Sequence, residues 1–234
     1  YWEVQRFDRE VGELLAILEE SGELDNTLVV MSGDNGMPFP RCKSNLYDSG
    51  TNVPLAVRWP MRVKGGRIVE DFVSLSDLAP TFLEAAGLKP SAEMTARSFL
   101  DVLTSGKSGR VDKKRVKVFS GKERHAYVRK DGLGYPARAL RTHEFLYIRN
   151  FEPDRWPAGD PDVAGFRNPA EPYGDTDGLP TKTYMIEHRD DPQVRRVFEL
   201  AFEKRPAEEL YDLRKDPSQL NNVAAAAEYA AVKN

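Results

Sequence analysis

The 234-residue chain holds a single cysteine, Cys42, and three histidines. One thiol cannot build an internal disulfide framework, yet this leaves the compartment open, because many exported proteins carry no disulfide. Charge of one sign is also lacking. With 34 basic residues against 37 acidic, the net charge is −3. No global field therefore favours nucleic acid or an anionic membrane, and an anionic substrate must be met by local groups. No stretch approaches the ~18 consecutive apolar residues of a membrane helix, and no internal repeat is visible. No methionine or signal-like segment precedes Tyr1, so the expectation is that the natural beginning is missing and that no leader can be judged from this end. What is present, 40% hydrophobic and 30% charged residues, is a globular composition, enough for one large domain or a domain and a half.

Taken in order, Val4, Phe7, Val11, Leu14, Leu15 and Leu18 recur every three or four positions, which predicts an amphipathic helix from about Trp2 to Ser21 that Gly22 stops. Leu28 to Met31 reads as a short buried strand, so the opening unit is helix then strand, half of an α/β repeat. Val53 to Trp59 and Ile68 to Leu75 read as extended. Ser76 is expected to cap a helix running to Ala86, ended by Gly87. Leu14, Leu15, Phe82 and Leu83 are expected in the core. After a basic connector, Ser105 to Lys114, the pattern changes. Val116 to Phe119 predicts a strand, and Ala137 to Arg141 with Phe145 to Arg149 predicts an antiparallel hairpin turning at Thr142-His143-Glu144. Residues 151–180 contain ten Gly or Pro and no period, hence a long loop. Asp191-Pro192 sets up an N-cap and first helical position, Glu209 to Leu213 predicts a strand, and Val223 to Val232 a last alanine-rich helix.

The stretch from Thr27 to Pro54 concentrates the chemistry. Asp34 and Asn35 follow the strand directly, where an open α/β sheet delivers ligands from strand carboxyl ends. Alone, Asp-Asn-Gly is equally a turn sequence. Among the other candidates, Arg138 and Arg141 alternate with apolar residues and face either solvent or a pocket. Trp156, Phe166 and Tyr173 either line a sugar-sized pocket or anchor the long loop.

The segment SGDNGMPFPRCKSNLYDSGTNVPLAVRWP resembles the type I sulfatase family of the alkaline-phosphatase-like superfamily. FDREVGELLAILEESGELDNTLVV, VSLSDLAPTFLEAAG and EELYDLRKDPSQLNNVA agree with it. DNGMPFP, a basic residue, NLY and the later GKERH are most similar to the heparan N-sulfatase, or sulfamidase, branch. The resemblance implies an α/β fold: residues 1–114 as the C-terminal part of the sulfatase catalytic domain, an alkaline-phosphatase-like sandwich portion, and residues 115–234 as a smaller α+β subdomain with antiparallel strands and the 151–180 loop. It implies that Asp34 and Asn35 bind a divalent metal, calcium by preference for hard oxygen donors, and that Lys43 contacts the sulfate and stabilises it in the transition state. Lys43 is preferred to Arg41 because it keeps the spacing after Pro40 and before Asn45-Leu46-Tyr47. His125 and Arg124 are candidate substrate contacts, with a surface turn as the alternative.

The family's nucleophile is a formylglycine made from the Cys or Ser of a C/S-x-P-x-R sequence, which these 234 residues do not contain; Cys42, followed by Lys43-Ser44-Asn45, does not match it. The nucleophile and further metal-binding aspartates are therefore expected in a missing N-terminal segment, and this chain alone is expected to be inactive. The expected function is hydrolysis of a sulfate ester or N-sulfate, on a sulfated small molecule or oligosaccharide. A phosphonate monoester or phosphodiester hydrolase of the same superfamily, and a non-catalytic carbohydrate-binding remnant, are the rivals. The resemblance alone favours a periplasmic, secreted or lysosomal location, and neither a nucleic-acid partner nor a membrane span is expected.

Overall fold

A computed structural model describes residues 2–164 and 171–233. In chain order the elements are α1 (Trp2–Glu20), β1 (Val29–Ser32), α2 (Asp48–Thr51), β2 (Leu55–Arg58), α3 (Leu78–Ala85), α4 (Leu100–Thr104), β3 (Lys117–Lys122), β4 (Ala137–Thr142), β5 (Phe145–Asn150), α5 (Pro180–Glu187), α6 (Pro192–Phe202), β6 (Glu208–Asp212) and α7 (Ala230–Lys233). They fall into two compact units. One comprises residues 1–32 and 54–116, the other residues 33–53 and 117–234. One division falls at Val116, and residues 33–53 group with the second unit although they follow β1 in the chain.

In the first unit β1 and β2 pair antiparallel, Val29 opposite Arg58 and Ser32 opposite Leu55. Trp59, Val63, Phe99, Val102 and Leu103 form its buried core, with Leu28, Leu55 and Val57 against it. Asp77 is the polar centre of this unit. Its carboxylate accepts the Ser74 and Arg97 amides at 3.2 and 3.0 Å and the Arg115 guanidinium at 2.9 Å. Arg115 also donates to the carbonyls of Phe72, Arg97 and Ser98. The capping residue is thus Ser74, paired reciprocally with Asp77, and not Ser76 as expected; the capping box needs an acid three residues on, which Ser74 has.

Three further expectations are corrected. The apolar stripe of α1 forms the helix, and Gly22 ends it at φ +75°, but no residue of the helix is buried. Leu14 is 62% exposed and Phe82 44%, while Leu15 and Leu83 are only half-buried. Periodicity reports which side chains share a face and not what covers it. β1 is likewise half-buried, and Ile68 to Leu75 makes only a single bridge, Val69 to Gly109. The alanine-rich end is helical only over Ala230–Lys233, after a short 3-10 turn.

The second unit is built on a four-stranded antiparallel sheet ordered β3-β4-β5-β6. The hairpin predicted at Thr142-His143-Glu144 is present, with Arg141 opposite Leu146 and Ala137 opposite Asn150. Alternation puts Ala137, Ala139, Leu146, Ile148 and Tyr211 into one cluster with Leu46 and Tyr47. Phe145, Tyr147 and Leu210 meet Ala224 and Tyr229 in another. A third cluster joins α5 and α6 to the long loop. Asp191 caps α6 by accepting the Gln193 amide at 2.8 Å, as its sequence predicts. Tyr173 packs on Phe198 and Phe202, and Trp156 lies edge-on to Tyr173. Trp156 and Tyr173 therefore anchor the loop; Phe166 lies outside the described residues.

Asp212 ends β6 and accepts from Arg214 Nε, Arg214 Nη2 and the Tyr229 hydroxyl at 2.9, 2.9 and 3.0 Å. The Arg214 hydrogen bonds, followed by that of Tyr229, lower its pKa to about 2. A carboxylate whose folded pKa is depressed contributes stability that is complete above its unfolded pKa and lost as pH falls through the folded one. The urea midpoint is therefore expected to decline between pH 4 and about 2, and Asp212→Asn to flatten that decline.

Candidate functional site

Residues 33–53 fold as a knot of short turns that two glycines permit. The Gly36 amide donates to the Gly50 carbonyl at 3.1 Å. A Cβ on Gly36 would lie 2.2 Å from the Ser49 carbonyl oxygen, and one on Gly50 would lie 2.3 Å from that of Cys42. No side chain fits either crossing. Within the knot the Lys43 amide donates to the Met37 carbonyl at 3.1 Å and the Cys42 amide to that of Phe39 at 3.1 Å. Arg41 and Ser44 both take left-handed backbone, φ +65° and +64°.

The knot is fastened to the sheet of its own unit. Leu46 and Tyr47 enter the core, each apolar body giving about 1.5–3 kcal/mol on burial. Asp48 takes a two-pronged contact from Arg141, whose Nε and Nη2 both lie at 2.9 Å. This settles the orientation of Arg141, while Arg138 is paired with Glu123 on the surface. Arg41 stacks on the Tyr47 ring at 3.6 Å and donates to the Gln219 carbonyl. Gln219, 2% exposed, also accepts the Asp48 amide at 2.9 Å through Oε1. Tyr47 Oη donates to Glu209 at 2.6 Å. This engagement explains why residues 33–53 belong to the second unit although they follow β1 directly.

Lys43 projects from this knot and its Nζ lies 3.2 Å from Asp177 Oδ2. Asp177 sits two residues beyond Asp175, the buried anchor of the long loop. Asp175 Oδ2 accepts Lys122 Nζ at 3.1 Å and Arg129 Nη2 at 2.7 Å, and Oδ1 accepts the Ala126 amide at 3.2 Å. Burial alone would raise the Asp175 pKa, but the Lys122 and Arg129 cations outweigh it and hold the carboxyl below its usual range. The strand β3 end that carries GKERH is thereby tied to the loop that carries Asp177.

Asp34 and Asn35 are exposed, and neither side chain has a hydrogen-bond or ion-pair partner among the described residues. Their oxygens suit a hard cation, yet a calcium ion takes six to eight oxygen ligands. Among the described residues no group of three or more His, Cys, Asp or Glu is placed to hold a metal. The pair fits such an ion as a partial donor set. His125 is exposed. Arg124 is engaged locally, donating to the Gly132 carbonyl and to Tyr127 Oη at 3.2 and 3.1 Å, with its guanidinium 4.2 Å from the Tyr127 ring centre. Cys42 is a free, half-buried thiol. Asp177, Asp175 and Gln219 escaped the sequence reading, and the direction of Arg141 stayed open in it, because their partners lie 46 to 178 positions away. Their only local signal is the pair of acids in Gly174-Asp175-Thr176-Asp177.

Residues 3–88 match the Sulfatase family model. An ulvan-active sulfatase of Formosa agariphila is 30% identical over 98% of this chain and 35% of its own length. Human N-sulphoglucosamine sulphohydrolase is 29% identical over 98% of this chain and 44% of its own. A solved structure in complex with its substrate D-glucosamine-2-N,6-O-disulfate superposes with a TM-score of 0.65 at 23% identity, covering 98% of this chain and 36% of that one. The phosphonate monoester hydrolase of Agrobacterium radiobacter does so with a TM-score of 0.61 at 22% identity, over 97% of this chain and 36% of that one. The chain shares the fold of these solved structures, and its likeness to the sulfatase family is carried by the match over residues 3–88 and by these relatives. It spans less than half the length of these curated relatives.

Proposed function

We propose that this chain supplies one side of the active site of a sulfatase that cleaves a sulfate ester or N-sulfate on a carbohydrate. The observation that carries the reading is the glycine-locked knot, which presents two unpartnered oxygen side chains, Asp34 and Asn35, together with the cation of Lys43. Asp34 and Asn35 would hold a divalent ion, calcium by its preference for oxygen donors; such an ion supplies charge neutralisation to the anionic group undergoing cleavage. Lys43 binds a sulfate oxygen and stabilises it as charge shifts toward the departing group. Asp177 keeps the Lys43 ammonium aimed until substrate arrives. His125 and Arg124 contact the sugar part of the substrate from the end of β3, for which Arg124 leaves Tyr127.

No C/S-x-P-x-R sequence occurs in the 234 residues, so this reading assigns the nucleophile, a formylglycine in this family, to a segment of the intact protein outside them; this chain alone is then inactive. The resemblance of DNGMPFP and NLY to the sulfamidase branch, and the 29% identity to the human sulphohydrolase, support N-sulfated glucosamine as the substrate class. An exported or lysosomal location accords with such substrates. No helix among the described residues is long and apolar enough to cross a membrane.

The structural likeness to a phosphonate monoester hydrolase supports a second reading with phosphorus in place of sulfur. Paired kinetics of the intact protein on an aryl sulfate, an aryl phosphonate and glucosamine N-sulfate decide between them. Higher kcat/KM on the sulfated compounds is expected. A preference for the phosphonate would transfer the site to the second reading, and binding of sulfated sugar without turnover would leave a carbohydrate-binding remnant.

A further inference from the structure

Tyr127 carries the most exposed aromatic ring of the second unit among the described residues, at 68%. Covering such a ring is favourable in proportion to its apolar area, yet its neighbours fix its position without covering it. A Cβ on Gly132 would lie 3.2 Å from Tyr127 Cδ1, so the ring edge rests against bare backbone there. Gly132 and the preceding Asp131 reach that position in left-handed backbone, φ +68° and +57°.

The turn beneath the ring is fastened from its inner side. The Glu123 carbonyl accepts the Tyr135 amide at 2.7 Å and closes residues 123–135 at their base. Val128, Arg129 and Tyr135 are buried. Arg129 donates to Asp175 and to the Trp156 and Pro157 carbonyls, and the Lys130 amide donates to Asp160 at 2.9 Å. A ring on so fixed a base has little freedom left to lose when a ligand covers it.

Arg124 gives the ring its chemistry. The guanidinium lies 4.2 Å from the ring centre and donates to Tyr127 Oη and to the Gly132 carbonyl at 3.1 and 3.2 Å. Glu123 is taken by Arg138, and Arg124 has no carboxylate within ion-pair reach among the described residues. An exposed cation–π contact is weak, and the uncompensated fork of N–H donors suits a sulfate or carboxylate. A flat apolar face beside such a cation fits a sugar ring that carries an anionic group. The location agrees. The Ala126 amide donates to Asp175 at 3.2 Å, and two residues beyond Asp175 the Asp177 carboxylate holds Lys43 at 3.2 Å. The ring and the sulfate-binding cation are thus fastened to the same short segment, residues 175–177.

We propose that Tyr127 is a stacking platform for the sugar next to the one that loses its sulfate. Arg124 swings off the ring to an anionic group of that sugar, and the ring receives the sugar's C–H face. This assignment rests on the sulfatase reading above and adds a second sugar position to it.

Kinetics of the intact protein on glucosamine N-sulfate, and on a trisaccharide that begins and ends with it, test the platform. The parent is expected to prefer the trisaccharide. Tyr127→Ala is expected to lower that preference, taken as the ratio of the two kcat/KM values, roughly three- to tenfold and through KM. Tyr127→Phe keeps the ring and should keep the preference. No preference in the parent, an unchanged preference in Tyr127→Ala, or an equal loss in both variants would overturn the platform. Calorimetric binding of the trisaccharide in a Lys43→Ala background, where turnover is slow, separates the platform from the reaction. Binding weakened by the same factor in Tyr127→Ala upholds the platform even if the parent hydrolyses neither compound, in which case the sulfatase reading falls alone. Equal binding, or none, overturns the platform whatever is hydrolysed.

Discussion

Replacing Lys43 by alanine is expected to lower kcat of the intact protein by about 10²–10³-fold, the loss typical of removing one group that stabilises transition-state charge, and to leave its urea midpoint nearly unchanged. The two halves of this expectation come from different parts of the structure. The ammonium is the one candidate cation presented by the knot itself, since Arg41 is committed to Tyr47 and to the Gln219 carbonyl. The Lys43 partner Asp177 has a side chain 41% exposed, so freeing it leaves a hydrated carboxylate, and an exposed pair is worth only ~0–1 kcal/mol. The backbone of Lys43 stays fixed by its own amide and by Leu46 and Tyr47 in the core. Steady-state kinetics beside urea unfolding checks this. Equal proportional losses in both, with the drop in activity explained by unfolded protein, would make Lys43 structural.

Asp175→Ala is expected to destabilise the second unit by about 3–5 kcal/mol, as breaking a buried ion pair does when it strands the partner. Here two cations are stranded. The side chains of Lys122 and Arg129 are 8% and 2% exposed, and that of Asp175 is 1%. The Pro157 and Trp156 carbonyls would still accept from them, but carbonyl dipoles do not cancel two charges. The Ala126 amide loses its acceptor as well. Because Asp177 rides on the same segment, the pairing with Lys43 should loosen too, seen as faster proteolysis of the 151–180 loop. A urea-derived loss below about 1 kcal/mol, the range of an exposed pair, would show that the cluster is more hydrated than its burial indicates.

Much of this organisation was legible in the sequence, for reasons that differ by residue. The α1 stripe, the Thr142-His143-Glu144 hairpin and the Asp191-Pro192 cap are set by contacts within a few positions, and the structure has them where periodicity and cap chemistry put them. Burial of Leu14 and Phe82 was not legible, because it depends on what covers a face. The reciprocal Ser74–Asp77 cap was readable from its own spacing and was missed in favour of Ser76. At the site, Asp34, Asn35 and Lys43 stand in one contiguous stretch and could be proposed from it. Their supports could not: Asp177, Arg141 and Gln219 reach the knot from distant segments whose local sequence, a Gly/Pro-rich loop, a strand and a polar turn, says nothing of a partner. The membership of residues 33–53 in the second unit is the largest consequence, since it arises from Tyr47 and Asp48 meeting side chains, and Arg41 a backbone carbonyl, more than 90 positions away.

The central claim is that the knot's free oxygens hold a divalent ion, and metal content tests it most directly. Calcium bound per chain, measured on the intact protein and on its Asp34→Ala variant after dialysis against the same free calcium, should fall from one site to near none, with the far-ultraviolet circular dichroism unchanged. An Asp34→Ala variant that retains the calcium of the parent at the same affinity would contradict the assignment.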